Sequence, residues 1–221
     1  MTAIAALVDK LRGQDTRIDG GIEWLSLIAF LEARSTRLQC TRHPLGFLHL
    51  ELSPVASLRD GERLRLHYWP HEGSNPDAIG TLHDHVWTLA SVVAAGRLRD
   101  RTFGVVPDPD GTYRGATVEY GSAANHFTDC GRFELTFERE LLVGPGEIYR
   151  IPSRTVHDSE VIDAPAVTFV LAEDDEDAAT KGPLLLQAGT SGTGTAVRDP
   201  VDCAAALSLV RRRLEDTWTP G

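Results

Sequence analysis

The chain is poor in cysteine, carries no excess of basic charge and has no long apolar run. Its three cysteines, Cys40, Cys130 and Cys203, form an odd and widely scattered set with no Cys-x-x-Cys pair. A disulfide ladder is thereby excluded, and the usage fits a reducing, cytoplasmic compartment. Basic residues number 22 against 32 acidic ones, a net charge of −10. That balance argues against nucleic acid or an anionic membrane surface as the main partner. No apolar stretch approaches the ~18 residues of a membrane span, and no basic segment followed by an apolar one marks the N-terminus. There is no internal repeat. What remains is a 221-residue chain, 42% apolar and 24% charged, long enough to bury a core without staples.

Hydrophobic spacing sets out the organisation. Ile4, Leu7, Val8 and Leu11 recur at helical intervals before Gly13, and residues 22–31, with Trp24, Leu27, Ile28 and Leu31, read as a second helix. From Phe47 the period changes to two, with alternating runs at 47–52 and 63–69 joined through Arg59-Asp60-Gly61. Further strands are expected at 88–93, 98–106, 117–120, 133–137, 147–151 and 167–171, with Asp108-Pro109-Asp110-Gly111 as a hairpin turn. Many short strands between Gly, Pro and Asp turns predict a mainly β sandwich or barrel. Residues 173–177 read as a solvated acidic loop and 187–198 as a loosely ordered Gly/Thr/Ser stretch. The last element is a helix over 204–214, with Asp199 as N-cap, Pro200 at its first position and Arg211, Arg212 and Arg213 near its C-terminal end. One domain over 1–221 is expected: helices to residue 40, a β-barrel over 41–175, then a loop and helix over 176–221.

The eight histidines carry the chemistry. His83 and His85 are two residues apart just before a strand, so both imidazoles face one side, as two ligands of one metal require. About seventy residues on, Gly146 to Pro152 form a strand entering a proline turn that delivers His157. A barrel brings a third ligand across to the first two in this way. His43, His49, His71 and His126 have no partner spacing and read as loop or surface residues.

These positions resemble the two motifs of the cupin superfamily. His83, His85 and Gly96 match the first motif, and Gly146, Pro152 and His157 match the second at the right spacing. Three positions depart: Asp77 replaces the opening glycine, Leu89 the glutamate ligand and Arg154 a glycine of the second motif. Without the glutamate, the resemblance narrows over residues 62–172 to the three-histidine, cysteine dioxygenase-like branch. It implies a jelly-roll barrel (a double-stranded β-helix) with helices at both ends, a frequent homodimer, and Fe²⁺ bound by His83, His85 and His157. Imidazole ligation leaves Zn²⁺, Ni²⁺ or Mn²⁺ open. The family's Ser-x-His-x-Tyr run is missing, its place being taken by Thr168 to Ala172, so cysteine dioxygenase activity itself is not expected.

Alternation nominates the rest of the site. If Trp69 points into the barrel, as the resemblance implies, Arg65 and His67 do too. Arg65 would then clamp an acid group and His67 would serve as acid, base or support. The reverse orientation would put Leu64, Leu66 and Tyr68 in the core instead. Arg42 lies roughly where thiol dioxygenases keep a carboxylate-binding arginine, and Trp87 and Tyr149 are candidate cavity residues. The expected function is an iron oxygenase acting on a small anionic, amino-acid-like substrate with O₂. An oxygen-independent lyase, isomerase or hydrolase and a non-catalytic binding protein are the alternatives.

Overall fold

The structure, a computed structural model, describes residues 2–18, 23–73, 82–120, 125–178, 181–188, 195–196 and 198–218. Helices α1 (Ala3–Arg12) and α2 (Trp24–Glu32) precede strands β1 (Gln39–Arg42), β2 (Leu48–Glu51), β3 (Glu62–Trp69) and β4 (Leu82–His83). Then follow β5 (Trp87–Pro107), β6 (Tyr113–Tyr120), β7 (Asn125–Val143), β8 (Ile148–Ile151) and β9 (Val156–Asp174). The chain ends in β10 (Leu184–Ala188), β11 (Thr195–Ala196), β12 (Asp199–Pro200) and α3 (Cys203–Trp218). Asp77 and most of the 187–198 stretch lie outside the described residues. No helix among them is long and apolar enough to cross a membrane.

The fold is a mainly β jelly-roll barrel with flanking helices. Two long strands, β5 and β9, bend from one sheet into the other; β5 reads in sequence as two shorter pieces and β9 only as residues 167–171. The first half of β5 pairs with β8 and with the second half of β9, while residues 97–103 pair with the first half of β9. The bend falls at Gly96, whose φ is +75°. A Cβ there would meet the Asp163 carbonyl at 2.5 Å, so the position needs glycine for both conformation and space. The order β9–β4–β10–β6–β7–β5, with β5 again on β9, closes the ring. β10, in a stretch expected to be loop, is therefore a barrel strand. From β9 the other sheet runs outward through β3, β2, β1 and β12.

Three helices cover the outer face of that sheet. Leu7 and Leu11 of α1, Leu27, Ile28 and Leu31 of α2, and Leu207, Val210 and Leu214 of α3 are fully buried against Leu64, Leu66, Val92 and Phe169. Arg12 holds the buried Glu62 bidentately at 2.7 and 2.5 Å. Arg150 donates to carbonyls at the end of α1, Gly13 among them.

Several expectations need correction. The N-cap of α3 is Asp202, whose carboxylate accepts from Ala205 N at 2.7 Å, whereas Asp199 and Pro200 form β12. The helix runs to Trp218, so the arginines lie in its middle. Arg211 pairs with Glu32 and Arg213 with Asp163, tying α3 to the body rather than answering its dipole. The Asp108–Gly111 turn forms, with Gly111 N on Asp108 O at 3.0 Å, but makes no hairpin. Pro107 and Tyr113 both face Phe133 of β7, so β5 and β6 lie end to end along one partner. In the acidic run, Asp174 pairs with Arg63 and Asp175 accepts from Ser153.

Candidate metal centre and cavity

Three imidazoles meet inside the barrel. His83 sits on the two-residue β4, in register with His157 on β9, and His85 follows two residues later. Ring centroids are 4.7 Å apart for His83 and His85, 4.8 Å for His83 and His157, and 5.3 Å for His85 and His157. One ligand nitrogen from each lies within 4.8 Å of the others. An ion held ~2.1 Å from each nitrogen needs separations of at most ~4.2 Å, so small side-chain adjustments close the set.

The polar atoms fit a divalent metal. His157 Nδ1 is 3.0 Å from Asp100 Oδ2, and this carboxylate is 1% exposed. A buried carboxylate accepting from Nδ1–H fixes the tautomer that turns the Nε2 lone pair into the cavity. Among the described residues, His157 Nε2 and His85 Nδ1 are buried without a hydrogen-bond partner. Burial, and then the adjacent His83 and His157, hold His85 well below the ordinary imidazole pKa, in the neutral form that ligates. Leu89, at the motif's glutamate position, lines the same cavity.

The turn carrying His83 and His85 is held from outside. Asp84, between them, accepts from Leu184 N at 2.5 Å and from Arg154 at 3.3 Å. Arg154 also donates to the carbonyls of Ala178, Lys181 and Gly182, and its own amide donates to His85 O at 2.7 Å. Its φ is +59°, the left-handed region a motif glycine would occupy freely. The backbone cost of an arginine there is offset by this bonding, which straps Ala178, Lys181 and Gly182 onto the ligand turn.

All the residues nominated beside the metal ligands line the same cavity of about 750 Å³: Arg42, Arg65, His67, Trp69, Trp87 and Tyr149. The orientation of β3 is resolved in an unexpected way. Arg65, His67 and Trp69 face the cavity and are half-buried, while Leu64, Leu66 and Tyr68 are buried under the helices. Arg65 lies 3.8 Å from Glu51 and over the Trp87 ring at 5.1 Å, and Trp87 stacks on His85 at 5.2 Å. Tyr149 is kept protonated, first by burial and then by the nearby Asp100 charge.

His43, His49 and His71 also line the cavity, His43 and His71 from loops as expected and His49 as a buried strand residue against the expectation of a loop or surface position, whereas His126 is exposed. His49 stands opposite His67 in the β2–β3 register, their rings 5.4 Å apart. His43 stacks on Phe47 at 4.3 Å, and Phe47 in turn meets Trp69 at 4.2 Å. Burial, and then the field of Arg65, lower His49 to about 3, and burial likewise lowers His43 and His67. Arg198, just before β12, is a further cavity residue that the sequence reading missed. The β2–β3 register would have exposed His49, and the inward alternation of Leu98, Asp100 and Thr102 would have exposed Asp100.

No family model matches the chain, and no curated protein matches it. Among solved structures it is similar to the DMSP lyase DddQ from Ruegeria pomeroyi DSS-3, at 16% identity over 84% of this chain and 77% of that one, TM-score 0.44. A structure of the DMSP lyases RdDddP and RnDddQII gives 16% identity over 86% and 79%, TM-score 0.42. An oxalate oxidase gives 16% over 65% and 56%, TM-score 0.36. These likenesses are distant, and the functional reading rests on the residues of this chain.

Proposed function

We propose that this chain is a metal-dependent enzyme that binds Fe²⁺ through His83, His85 and His157 and oxidises a small anionic metabolite with O₂. The observation that carries the reading is the convergence of three imidazoles in a cavity that also presents Arg42, Arg65 and Arg198. A divalent ion held by three uncharged ligands keeps its full charge, polarises a chelating substrate and, as Fe²⁺, supplies one-electron chemistry with O₂.

The protein groups divide the remaining work. Asp100 orients His157 through Nδ1. Arg65, braced by Glu51 and the Trp87 face, holds an acid group of the substrate in a bidentate grip. His67, neutral and directed into the cavity, takes or returns a substrate proton. Leu89, Ile151 and Val170 keep part of the wall apolar, excluding water near the ion and leaving room for O₂.

One observation favours a second reading, in which the same site runs an oxygen-independent elimination, isomerisation or hydrolysis. The strand position that would carry an oxygen-orienting His-x-Tyr pair presents Val170 to the cavity instead. Oxygen uptake and strictly anaerobic turnover, measured on Fe²⁺-loaded and Zn²⁺-loaded chain against a panel of thiols, amino acids and hydroxy acids, separate the two. Oxygen consumption coupled to product with Fe²⁺ supports the first reading. Equal turnover without oxygen, or with Zn²⁺, overturns it in favour of the second.

A further inference from the structure

Arg42 and Arg198 both border the cavity from neighbouring segments, since Arg42 pairs with Asp199, the residue after Arg198. Among the described residues, neither side chain takes part in a hydrogen bond or ion pair, unlike those of Arg12, Arg63, Arg154 and Arg211. Two unpaired cations on one cavity repel each other, and in a chain of net charge −10 acidic partners are plentiful. Their freedom at a cavity mouth is therefore informative.

The site they form is separate from the metal end. β1 lies three strand intervals from β9 in the sheet order, roughly 14 Å along the sheet at ~4.8 Å per interval. Between them the wall carries Arg65 and three imidazoles, His43, His49 and His67, all held neutral by burial, with Arg198's field among the causes in each. His43 accepts from Leu45 N at Nδ1 (3.2 Å), which leaves Nε2–H as its donor. At about 750 Å³ the cavity falls in the ~300–1,000 Å³ range of pockets for ligands of drug size and exceeds what one simple amino acid fills.

We infer that the ligand has two anionic ends, one reaching the three-histidine centre and the other, a carboxylate or a phosphate, gripped by Arg42 and Arg198, with a polar body along His43, His49 and His67. This rests on the metal-centre reading and narrows its substrate to a dianion longer than an amino acid.

Calorimetric titrations with glutarate, phosphoglycolate and butyrate test it. Zn²⁺-loaded chain is expected to bind at least one dianion about tenfold or more tighter than butyrate, the ~1.4 kcal/mol of a charge-assisted contact. Arg198→Gln, and equally Arg42→Gln, should bring that ratio to about one while metal content stays unchanged. Which dianion wins distinguishes carboxylate from phosphate. Equal binding of all three probes, or a preference that survives both substitutions, overturns the inference. If Zn²⁺ fails to load at the histidines, the proposed function falls. Dianion binding by the metal-free chain, kept in wild type and lost in Arg198→Gln, then supports the second subsite, and its absence in wild type overturns it.

Discussion

Leu64, Leu66 and Tyr68 project from one side of β3 and Arg65, His67 and Trp69 from the other, and both rows are withdrawn from solvent. The first row packs against three helices, where close fit sets the free energy. The second lines a cavity, where imidazoles and guanidinium meet neighbouring side chains but leave room for a ligand. Eight consecutive residues thus divide the tasks of folding and binding by alternation alone. Damage to one row should appear as lost stability, and damage to the other as lost affinity.

The largest separation is expected from the pair Leu66→Ala and His67→Ala. Leu66 is fully buried, and truncation should cost ~2–5 kcal/mol in denaturant unfolding with ligand binding per folded chain preserved. His67→Ala should cost less than half as much and weaken substrate binding or turnover instead. Equal losses of stability would show that the cavity face is also structural core. Next in size, Asp100→Asn should lower metal affinity by about 10–100-fold, because the carboxylate that fixes the His157 tautomer is gone. Metal competition titrations measure this, and unchanged affinity would remove Asp100 from the site.

The cavity face should also leave a signature in pH. His49 titrates near 3 in the folded chain and near the ordinary 6.5 when unfolded. Its folded form therefore binds fewer protons between those values, so stability is fully present above ~6.5 and is lost as pH falls toward 3. The slope is at most ~1.4 kcal/mol per pH unit for one such group. Urea midpoints of metal-free wild type and His49→Gln should converge as pH falls. Parallel curves would contradict a neutral buried His49. The smallest effect concerns Arg154. Both Arg154→Gly and Arg154→Ala lose the bonds to Ala178, Lys181 and Gly182, but only glycine relieves the left-handed backbone, so the alanine variant should be less stable by ~1 kcal/mol. Identical melting curves would show that the backbone strain there is negligible.

The barrel and the three metal-binding candidates were legible because they depend on local spacing. An i, i+2 pair on a strand must share a face, and a Gly-to-Pro segment with a histidine five residues on is visible in one dimension. The orientation of β3 was not legible, since helices turn its outer face into core and give both rows a buried environment. His43, His49 and Arg198 stayed hidden for a different reason. They reach the cavity only through the pairing of β2 with β3 and of β1 with β12, contacts without any sequence periodicity. The bend of β5 was read as a break because a glycine bulge looks like a turn until its partner strand is known, and of β9 only residues 167–171 were read as strand.

Metal analysis of the chain purified without added ions, beside the same analysis of a His83→Ala, His157→Ala double variant of unchanged fold, tests the central claim most directly. The account predicts one divalent ion per wild-type chain and a near-complete loss in the variant. Wild type that neither retains nor takes up a divalent ion, or a variant that binds it as tightly, would contradict the assignment of His83, His85 and His157 as a metal centre.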